Sequence, residues 1–266
     1  MICKKNELII TYYPFNNCNF TCDYCYRSEL KNEYTATTQD INNLIKNLSH
    51  NKIKYFKILG GEPLIYPNIE YLLQSLSQAN NIETIKFLTN GFLFNKLLYL
   101  ASTYQNVKFT YSIHPSLSNL NEEILQKLLL PNIKYTLICD FRYKDKLDYY
   151  VNLLQKYKRS YTLANVYTYD SLNNKYSTLE EFNNLYKKYN KIDAPIINFK
   201  GTYCYNNTIY IQSNGQLNYG ECHKLKQNFK LSIYNKQYIH IPRKILCSMN
   251  IHCTARCQYT YKENCN

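Results

Sequence analysis

Residues 7–190 repeat one hydrophobic pattern, in which an apolar run of strand length is followed by a stretch with helical spacing. In residues 38–49, for example, apolar side chains recur every three or four positions, and Thr37 or Thr38 can cap the start of the helix. Strand patterns lie near 7–13, 53–59, 83–89, 107–113, 133–139 and 161–168, and helical patterns near 38–49, 68–79, 94–103, 121–129, 144–157 and 178–190. Six such β-α units predict an α/β fold with a parallel sheet and crossover helices.

The pattern changes after residue 194. Residues 209–217 read as two short strands around Asn214-Gly215, a strong signal for a β-hairpin. Beyond about residue 195 the apolar periodicity is weak and cysteines are frequent. We therefore predict two domains, with residues 1–194 forming the sheet and its helices and residues 195–266 forming a small lobe held together by metal.

Three closely spaced cysteines follow the first strand pattern. Cys18, Cys22 and Cys25 have C-x3-C-x2-C spacing. Three thiolates this close can hold three irons of a [4Fe–4S] cluster, which normally has four cysteine ligands, and leave the fourth iron open for a small molecule. A structural zinc site is the alternative, but it usually needs four ligands, and the next cysteine is Cys139. A disulfide is not expected, because the sequence shows no secretory signal.

A second candidate site follows the second strand pattern, which ends in Gly60-Gly61-Glu62-Pro63. Two glycines let the backbone approach a ligand closely with its N–H and C=O groups exposed, and a carboxylate beside them can accept from an ammonium group. The alternative is an ordinary turn in which Pro63 starts a helix. Because chemistry collects at the carboxyl ends of parallel barrel strands, we expect this turn and the three-cysteine loop on the same rim.

Together these motifs resemble those of the radical SAM enzymes. In that family C-x3-C-x-aromatic-C, with Tyr24 as the aromatic residue here, is followed by a glycine-rich turn after the second strand. The resemblance implies a partial (β/α)6 TIM-like barrel with a [4Fe–4S] cluster on Cys18, Cys22 and Cys25. It also implies that S-adenosylmethionine binds the open iron and that Gly60-Gly61-Glu62-Pro63 receives its amino group.

Two further strand ends match the family. Thr89-Asn90-Gly91 ends the third strand pattern, and Ser112-Ile113-His114 ends the fourth, where related enzymes carry polar residues that reach the ribose. The resemblance therefore makes Asn90, Ser112 and His114 candidate cofactor contacts. His114 stands where Asp is commoner, although an imidazole can also hydrogen-bond a hydroxyl. The alternatives are a plain Asn-Gly turn and a histidine that satisfies local backbone ahead of Pro115.

The tail also resembles a known element, the SPASM and twitch extensions of radical SAM enzymes, which carry auxiliary [4Fe–4S] clusters. In these extensions a further cysteine precedes the position of Cys247 by three residues, and Lys244 stands there in this chain. The remaining cysteines fit either one cluster or two. Two clusters would need open irons or further ligands such as His223, His240 or His252. Zinc is the alternative metal. The resemblance implies these cysteine ligands: Cys204, Cys222, Cys247, Cys253, Cys257 and Cys265.

The composition excludes several classes of protein. With 45% hydrophobic residues and no apolar run of about 18 residues, the chain is expected to be globular without a membrane span. A net charge of +13 would suit nucleic acid, but the basic residues are scattered, and Lys, Asn, Ile and Tyr are jointly over-used, as in AT-rich genomes. Nucleic acid is therefore not expected as a partner. Eleven cysteines without a secretory signal favour metal ligation in a reducing cytoplasm, and Cys3 and Cys139 receive no role.

The expected activity follows from the resemblance. One electron cleaves S-adenosylmethionine to methionine and a 5′-deoxyadenosyl radical, which abstracts hydrogen from a substrate. Tails of this type resemble those of enzymes that modify ribosomally made peptides or proteins, so such a substrate is expected. The alternatives are a small molecule (a sugar, nucleotide or cofactor precursor), a tRNA or another enzyme. A non-catalytic zinc or Fe–S interaction module is the alternative from another class.

Two partners are expected. The chemistry needs an external one-electron donor of the flavodoxin or ferredoxin type. The first strand pattern begins within a few residues of Met1, so a leader-peptide-binding domain is expected on a separate protein. The sequence does not identify a general acid or base.

Overall fold

The computed structural model describes residues 7–25, 27, 34–165, 184, 187–188, 202–219, 227–238, 243–246 and 261–264. Its strands are β1 (Leu8–Tyr12), β2 (Ile53–Ile58), β3 (Ile82–Thr89), β4 (Val107–Ile113), β5 (Ile133–Cys139), β6 (Tyr161–Asn165), β7 (Thr202–Asn206), β8 (Thr208–Ile211), β9 (Gln216–Tyr219), β10 (Gln227–Ser232), β11 (Arg243–Leu246) and β12 (Tyr261–Asn264). Its helices are α1 (Thr38–Leu48), α2 (Ile69–Ser77), α3 (Phe94–Thr103), α4 (Glu122–Lys127) and α5 (Lys144–Lys156).

The predicted alternation of strands and helices is confirmed. All six predicted strands and the first five predicted helices are present, with their ends shifted by a few residues. The predicted helix at 178–190 lies almost entirely outside the described residues. Within the described residues the strands do not close into a ring. The fold is thus an α/β fold with parallel strands and crossover helices. None of the described helices is long and apolar enough to cross a membrane.

Local sequence explains how α1 begins. Thr37, one of the two predicted caps, accepts a hydrogen bond from the backbone N of Asp40, and the Asp40 carboxylate accepts from the backbone N of Thr37 at 2.8 Å. This capping box satisfies two of the donors that a helix start leaves open. The apolar side chains Ile41, Leu44 and Leu48 then face the core, as the spacing predicted.

The chain divides into two compact units, and β3 runs from one into the other. The first comprises residues 1–18, 30–86 and 196–266, and the second comprises residues 19–29 and 87–195.

In the first unit the strand order is β10-β9-β8-β1-β2. β1 is parallel to both neighbours, so that Ile10 pairs with Phe56 of β2 and with Ile209 of β8. All five residues of β1 are buried. The first strand of the chain is therefore an interior strand, flanked on one side by a strand from the tail.

In the second unit β4, β5 and β6 are parallel neighbours. Tyr111 of β4 and Tyr135 of β5 are fully buried and pack against each other, with ring centroids 6.1 Å apart. The alternate residues form a hydroxyl-bearing row on the other face, in which half-buried Ser112 pairs with half-buried Thr136, and Thr136 pairs with exposed Thr162. The core of this unit thus lies on one face of these strands.

The predicted hairpin is present. β8 and β9 are antiparallel, and Gly215 has a φ of +78°, a conformation that favours glycine. β7 pairs antiparallel with both β11 and β12 in a separate three-stranded sheet. The pairing of β8 with β1 was not predicted. The predicted domain boundary between residues 194 and 195 stays a prediction.

Candidate functional site

In the first unit, Gly60 and Gly61 lie directly against the backbone of the loop that follows β1. A Cβ atom at Gly61 would lie 2.0 Å from the carbonyl oxygen of Asn17, and one at Gly60 would lie 2.4 Å from that of Phe15. Only glycine permits so close an approach of two backbones. The glycine pair therefore seats the segment that leads into Cys18.

The backbone amides of this turn also bind the loop that follows β1. Gly61 N donates to the carbonyl oxygen of Phe15 at 3.2 Å, and Glu62 N donates to that of Asn17 at 2.9 Å. The Gly61 amide, which was expected to be exposed to a ligand, is thus hydrogen-bonded to the loop. What the two glycines allow is close contact between the turn and the loop.

Glu62 and Pro63 form a capped turn. Pro63–Ile65 is a single 3-10 turn, and the carboxylate of Glu62 accepts a hydrogen bond from Leu64 N at 2.9 Å. Glu62 is only 1% exposed. Pro63 thus begins a helical turn, and the Glu62 carboxylate caps that turn.

In the second unit, Cys22 and Cys25 lie on a tight turn next to the end of β4. Cys25 N donates to the carbonyl oxygen of Cys22 at 3.1 Å. The hydroxyl of Tyr24 lies 2.8 Å from His114 Nδ1, and the Cys22 thiol lies 3.7 Å from the same nitrogen. The Tyr24 and His114 rings are nearly parallel, and Phe20 meets the imidazole edge-on. His114 therefore contacts the cysteine-bearing turn from the strand side.

Burial determines the protonation of these groups. It lowers the pKa of His114 to about 4, so the imidazole is neutral at neutral pH. Burial, reinforced by the interaction with Cys22, raises the pKa of Tyr24 far above its ordinary value, so the phenol stays protonated. The His114 backbone N donates to Ser118 Oγ at 2.8 Å. The ring nitrogen Nδ1 of His114 is hydrogen-bonded to the Tyr24 hydroxyl.

Asn90 and Gly91 form the predicted turn after β3. Gly91 has a φ of +68°, and the Asn90 amide oxygen accepts from Phe92 N at 3.0 Å. Its amide nitrogen donates to the side-chain oxygen of Asn19 at 2.9 Å, so Asn90 holds the start of the cysteine-bearing loop of the second unit. The role of Asn19 was not predicted, because no local pattern marks a residue whose partner lies 71 positions away.

The thiols differ in accessibility. Cys18, Cys22 and Cys25 are free of disulfides and half-buried, whereas Cys139 is completely buried. In the described part of the chain no three His, Cys, Asp or Glu side chains are close enough to hold a single metal ion. Of the tail cysteines, Cys204 lies on β7, where only the backbone is described. Cys3 and the five other predicted tail ligands lie outside the described residues: Cys222, Cys247, Cys253, Cys257 and Cys265.

Comparison with known proteins identifies the family. Residues 12–159 match the model of the Radical SAM superfamily. This segment is more than half of the 266 residues, so the chain belongs to the radical SAM superfamily and is an enzyme of that class. Membership implies a [4Fe–4S] cluster and S-adenosylmethionine.

Curated relatives match about half of the chain. The GTP 3',8-cyclase of Staphylococcus haemolyticus (strain JCSC1435) is 32% identical over 149 residues, which cover 52% of this chain and 40% of the relative. The GTP 3',8-cyclase of Staphylococcus aureus (strain N315) is 31% identical over 137 residues, covering 47% of this chain and 38% of the relative. The chain thus spans about 40% of the length of the curated relatives that it matches.

Solved structures share the fold. The structure of native anSMEcpe with bound AdoMet and Kp18Cys peptide has a TM-score of 0.55 and 16% sequence identity, covering 87% of this chain and 79% of that one. The structure with Cp18Cys peptide has a TM-score of 0.53 and 15% identity, covering 87% of this chain and 78% of that one. At this identity the likeness shows that the chain has the fold of radical SAM enzymes.

Proposed function

We propose that Cys18, Cys22 and Cys25 hold the [4Fe–4S] cluster and that the enzyme reductively cleaves S-adenosylmethionine there. The observation that carries this proposal is the seating of the loop before Cys18 on the Gly60-Gly61 turn. The three thiols are not in disulfides and are not buried in the core, so they fit a ligand that binds three cysteines. When bound, the cluster supplies one electron to the sulfonium, which yields methionine and a 5′-deoxyadenosyl radical.

The residues of the chain then have distinct roles in this proposal. Gly60, Gly61, Glu62 and Pro63 shape the turn that orients the loop and the amino group of S-adenosylmethionine. Tyr24 fixes the turn between Cys22 and Cys25 through its contact with His114. Asn90 and Ser112, at the ends of β3 and β4, are the proposed ribose contacts, and His114 is a third through its imidazole. The protein thereby positions the reactive carbon and excludes water from it.

We propose that the tail holds at least one auxiliary Fe–S cluster. The pairing of β7 with β11 and β12 supports this. Leu246, directly before Cys247, pairs with Tyr203, and Asn264, directly before Cys265, pairs with Thr202. The two strand ends therefore flank the residues that immediately precede Cys204. The proposed ligands are drawn from Cys204, Cys222, Cys247, Cys253, Cys257 and Cys265, and a zinc site remains the alternative that metal analysis excludes or establishes.

For the substrate we propose a ribosomally made peptide or protein, on the ground of the cysteine-rich tail. The partners in that case are an external one-electron donor and a separate leader-peptide-binding protein, in the cytoplasm. A small molecule is the second candidate, and the sequence similarity favours it, because the curated relatives are named GTP 3',8-cyclase. These relatives match only about half of the chain, and the family model ends at residue 159, before the tail.

The test of the cofactor site is anaerobic reconstitution followed by iron analysis and incubation with dithionite and S-adenosylmethionine. We expect at least four irons per chain and formation of 5′-deoxyadenosine. The variant with Cys18, Cys22 and Cys25 all replaced by Ala should make no 5′-deoxyadenosine yet keep the absorbance of any tail cluster. If this variant still makes 5′-deoxyadenosine, the site assignment is wrong. If the parent protein holds zinc and no iron, it is a non-catalytic module.

A second experiment separates the substrate classes. The reconstituted enzyme is incubated with GTP or with a library of cysteine-containing peptides, and consumption and product masses are followed. A peptide product with an altered mass supports the peptide proposal. Conversion of GTP without any peptide product supports the small-molecule candidate and contradicts the peptide proposal.

A further inference from the structure

Arg142 connects the end of β5 with the loop that carries Cys22 and Cys25. Asp140, the residue directly after β5, is fully buried. Its carboxylate accepts hydrogen bonds from Nε and Nη2 of Arg142 at 2.9 and 2.6 Å, and from the Arg142 backbone N at 3.2 Å. A buried carboxylate needs such donors, because burying an unpaired charge is costly. Asp140 therefore fixes the direction in which the guanidinium points.

The other edge of the guanidinium binds the cysteine-bearing loop. Nη1 of Arg142 donates to one carboxylate oxygen of Asp23 at 2.9 Å, and Nη2 donates to the other at 3.1 Å. This two-point geometry is the strong form of an arginine–carboxylate pair. The side chains of Arg142 and Asp23 are 35% and 45% exposed, and such a pair alone contributes little. Here the guanidinium is already oriented by Asp140, so less freedom is lost when it binds Asp23.

Asp23 lies in the turn that connects the two cysteines, directly between Cys22 and Tyr24. Tyr24 is itself held 2.8 Å from His114 at the end of β4. Two consecutive residues of the turn are thus anchored to the ends of the neighbouring strands β4 and β5. A turn restrained in this way has little freedom to rotate, so the thiols on either side of it keep fixed directions.

We propose that Arg142 is a positioning residue. Held by Asp140, it fixes Asp23 and thereby the directions in which Cys22 and Cys25 present their thiolates to the iron–sulfur cluster. This role rests on the proposed function, because it requires the cluster to be bound by this loop. It also gives a function to the buried carboxylate at the end of β5, where an apolar residue would cost less to bury.

The test compares Asp23→Asn, Arg142→Gln and Arg142→Lys with the parent protein after anaerobic reconstitution. Two quantities are measured: the rate at which a chelator removes iron from the loop, and the EPR spectrum of the reduced cluster. Loop iron is the difference between each protein and its counterpart lacking Cys18, Cys22 and Cys25. We expect iron release to be about tenfold faster in Asp23→Asn and Arg142→Gln, since each loses a charged hydrogen-bonded pair. Arg142→Lys should be intermediate, because an ammonium cannot bind both oxygens in the same way.

The double variant Asp23→Asn with Arg142→Gln should release iron no faster than the worse single variant, because the two residues act as one unit. Asp23→Asn leaves the pair of Arg142 and Asp140 intact, so it should fold like the parent and keeps the test valid if Arg142→Gln does not fold. Parent-like release rates and EPR spectra in Asp23→Asn would overturn the proposal.

The matched control is Arg159→Gln. Arg159 contacts the opposite end of β5 from Arg142. The Nη2 atom of Arg159 donates to the carbonyl oxygens of Leu130 and Ile133 at 2.8 and 2.7 Å. We expect it to reduce thermal stability without changing loop iron release. Equal acceleration in Arg159→Gln would show a general structural effect and overturn the positioning role. If the parent has no loop iron at all, the proposed function fails instead, which the cysteine variants reveal separately.

Discussion

At Gly61, the space that a side chain would need is filled by the carbonyl oxygens of Asn16 and Asn17, at 2.5 and 2.0 Å from an ideal Cβ. Both obstacles are backbone atoms, which cannot rotate away as a long side chain can. The sequence predicted that this glycine lets its backbone approach a ligand closely. In the structure, the group that approaches Gly61 closely is the backbone of the chain itself, in the segment that leads into Cys18.

Replacing Gly61 by Ala should therefore push the loop away from the turn. We expect a loss of about 1–3 kcal/mol in the free energy of unfolding, as for overpacked interiors, together with reduced iron on the loop. Urea unfolding and iron analysis after reconstitution measure the two effects. Ser160→Ala, at an exposed position, should change neither. Full iron occupancy in Gly61→Ala would show that the close backbone contact is not needed.

The free thiols should differ sharply in reactivity. Burial raises the pKa of Cys139 to about 12, so about one molecule in ten thousand carries its thiolate at pH 8. Cys18, Cys22 and Cys25 are half-buried instead. In iron-free folded protein we expect iodoacetamide to modify these three cysteines, and Cys139 only after denaturation, as read by peptide mass spectrometry. Labelling of Cys139 at the same rate as Cys18 would contradict its burial.

At the scale of elements, a pair of tyrosines holds the tail hairpin to β1. The Tyr12 and Tyr234 hydroxyls are 2.8 Å apart, and Tyr234 donates its hydrogen to the carbonyl oxygen of Ser213 at 2.9 Å. Because Tyr234 has a single hydroxyl hydrogen, Tyr12 must be the donor to Tyr234. Both side chains are buried, which raises the pKa of each phenol and keeps it protonated.

This donor order predicts an asymmetry between two substitutions. Tyr234→Phe leaves the buried Tyr12 hydroxyl and the Ser213 carbonyl without their partner and should cost about 1–3 kcal/mol of unfolding free energy. Tyr12→Phe removes only one donor and should cost less, about 0.5–1.5 kcal/mol. Tyr99→Phe is the control, since Tyr99 is 52% exposed. Urea denaturation ranks the three variants, and a larger loss in Tyr12→Phe than in Tyr234→Phe would show that the donor order is reversed.

At the scale of the molecule, the sequence predicted the repeated β-α units well, because helical and strand spacing differ clearly in this half of the chain. It also predicted the hairpin at Asn214-Gly215, where the turn chemistry is local. It could not predict that β8 lies beside β1, because strand pairing between residues about 200 positions apart has no local signature. The contact between Asp23 and Arg142 could not be predicted for the same reason, since 119 positions separate the two residues.

The pairing of β8 with β1 predicts the behaviour of a shortened chain. A fragment of residues 1–194 would lack β8 and expose the edge of β1, whose residues are all buried in the full chain. Exposed apolar edges favour aggregation. We expect this fragment to be insoluble or to unfold without cooperativity, and co-expression with residues 195–266 to restore it. Cooperative unfolding of the isolated fragment, with a native near-ultraviolet spectrum, would instead show that residues 1–194 fold independently, as the sequence predicts.

The pairing of β8 with β1 also determines when β1 can be covered during synthesis of the chain. When β1 leaves the ribosome, the segment that will cover one of its edges has still to be translated, roughly 200 residues later. The nascent chain must therefore carry an uncovered strand, together with the proposed cluster-binding loop, through most of its own synthesis. If the loop binds a cluster as proposed, we expect metal loading after release of the completed polypeptide, because assembly machinery acting during translation would meet an unfinished scaffold.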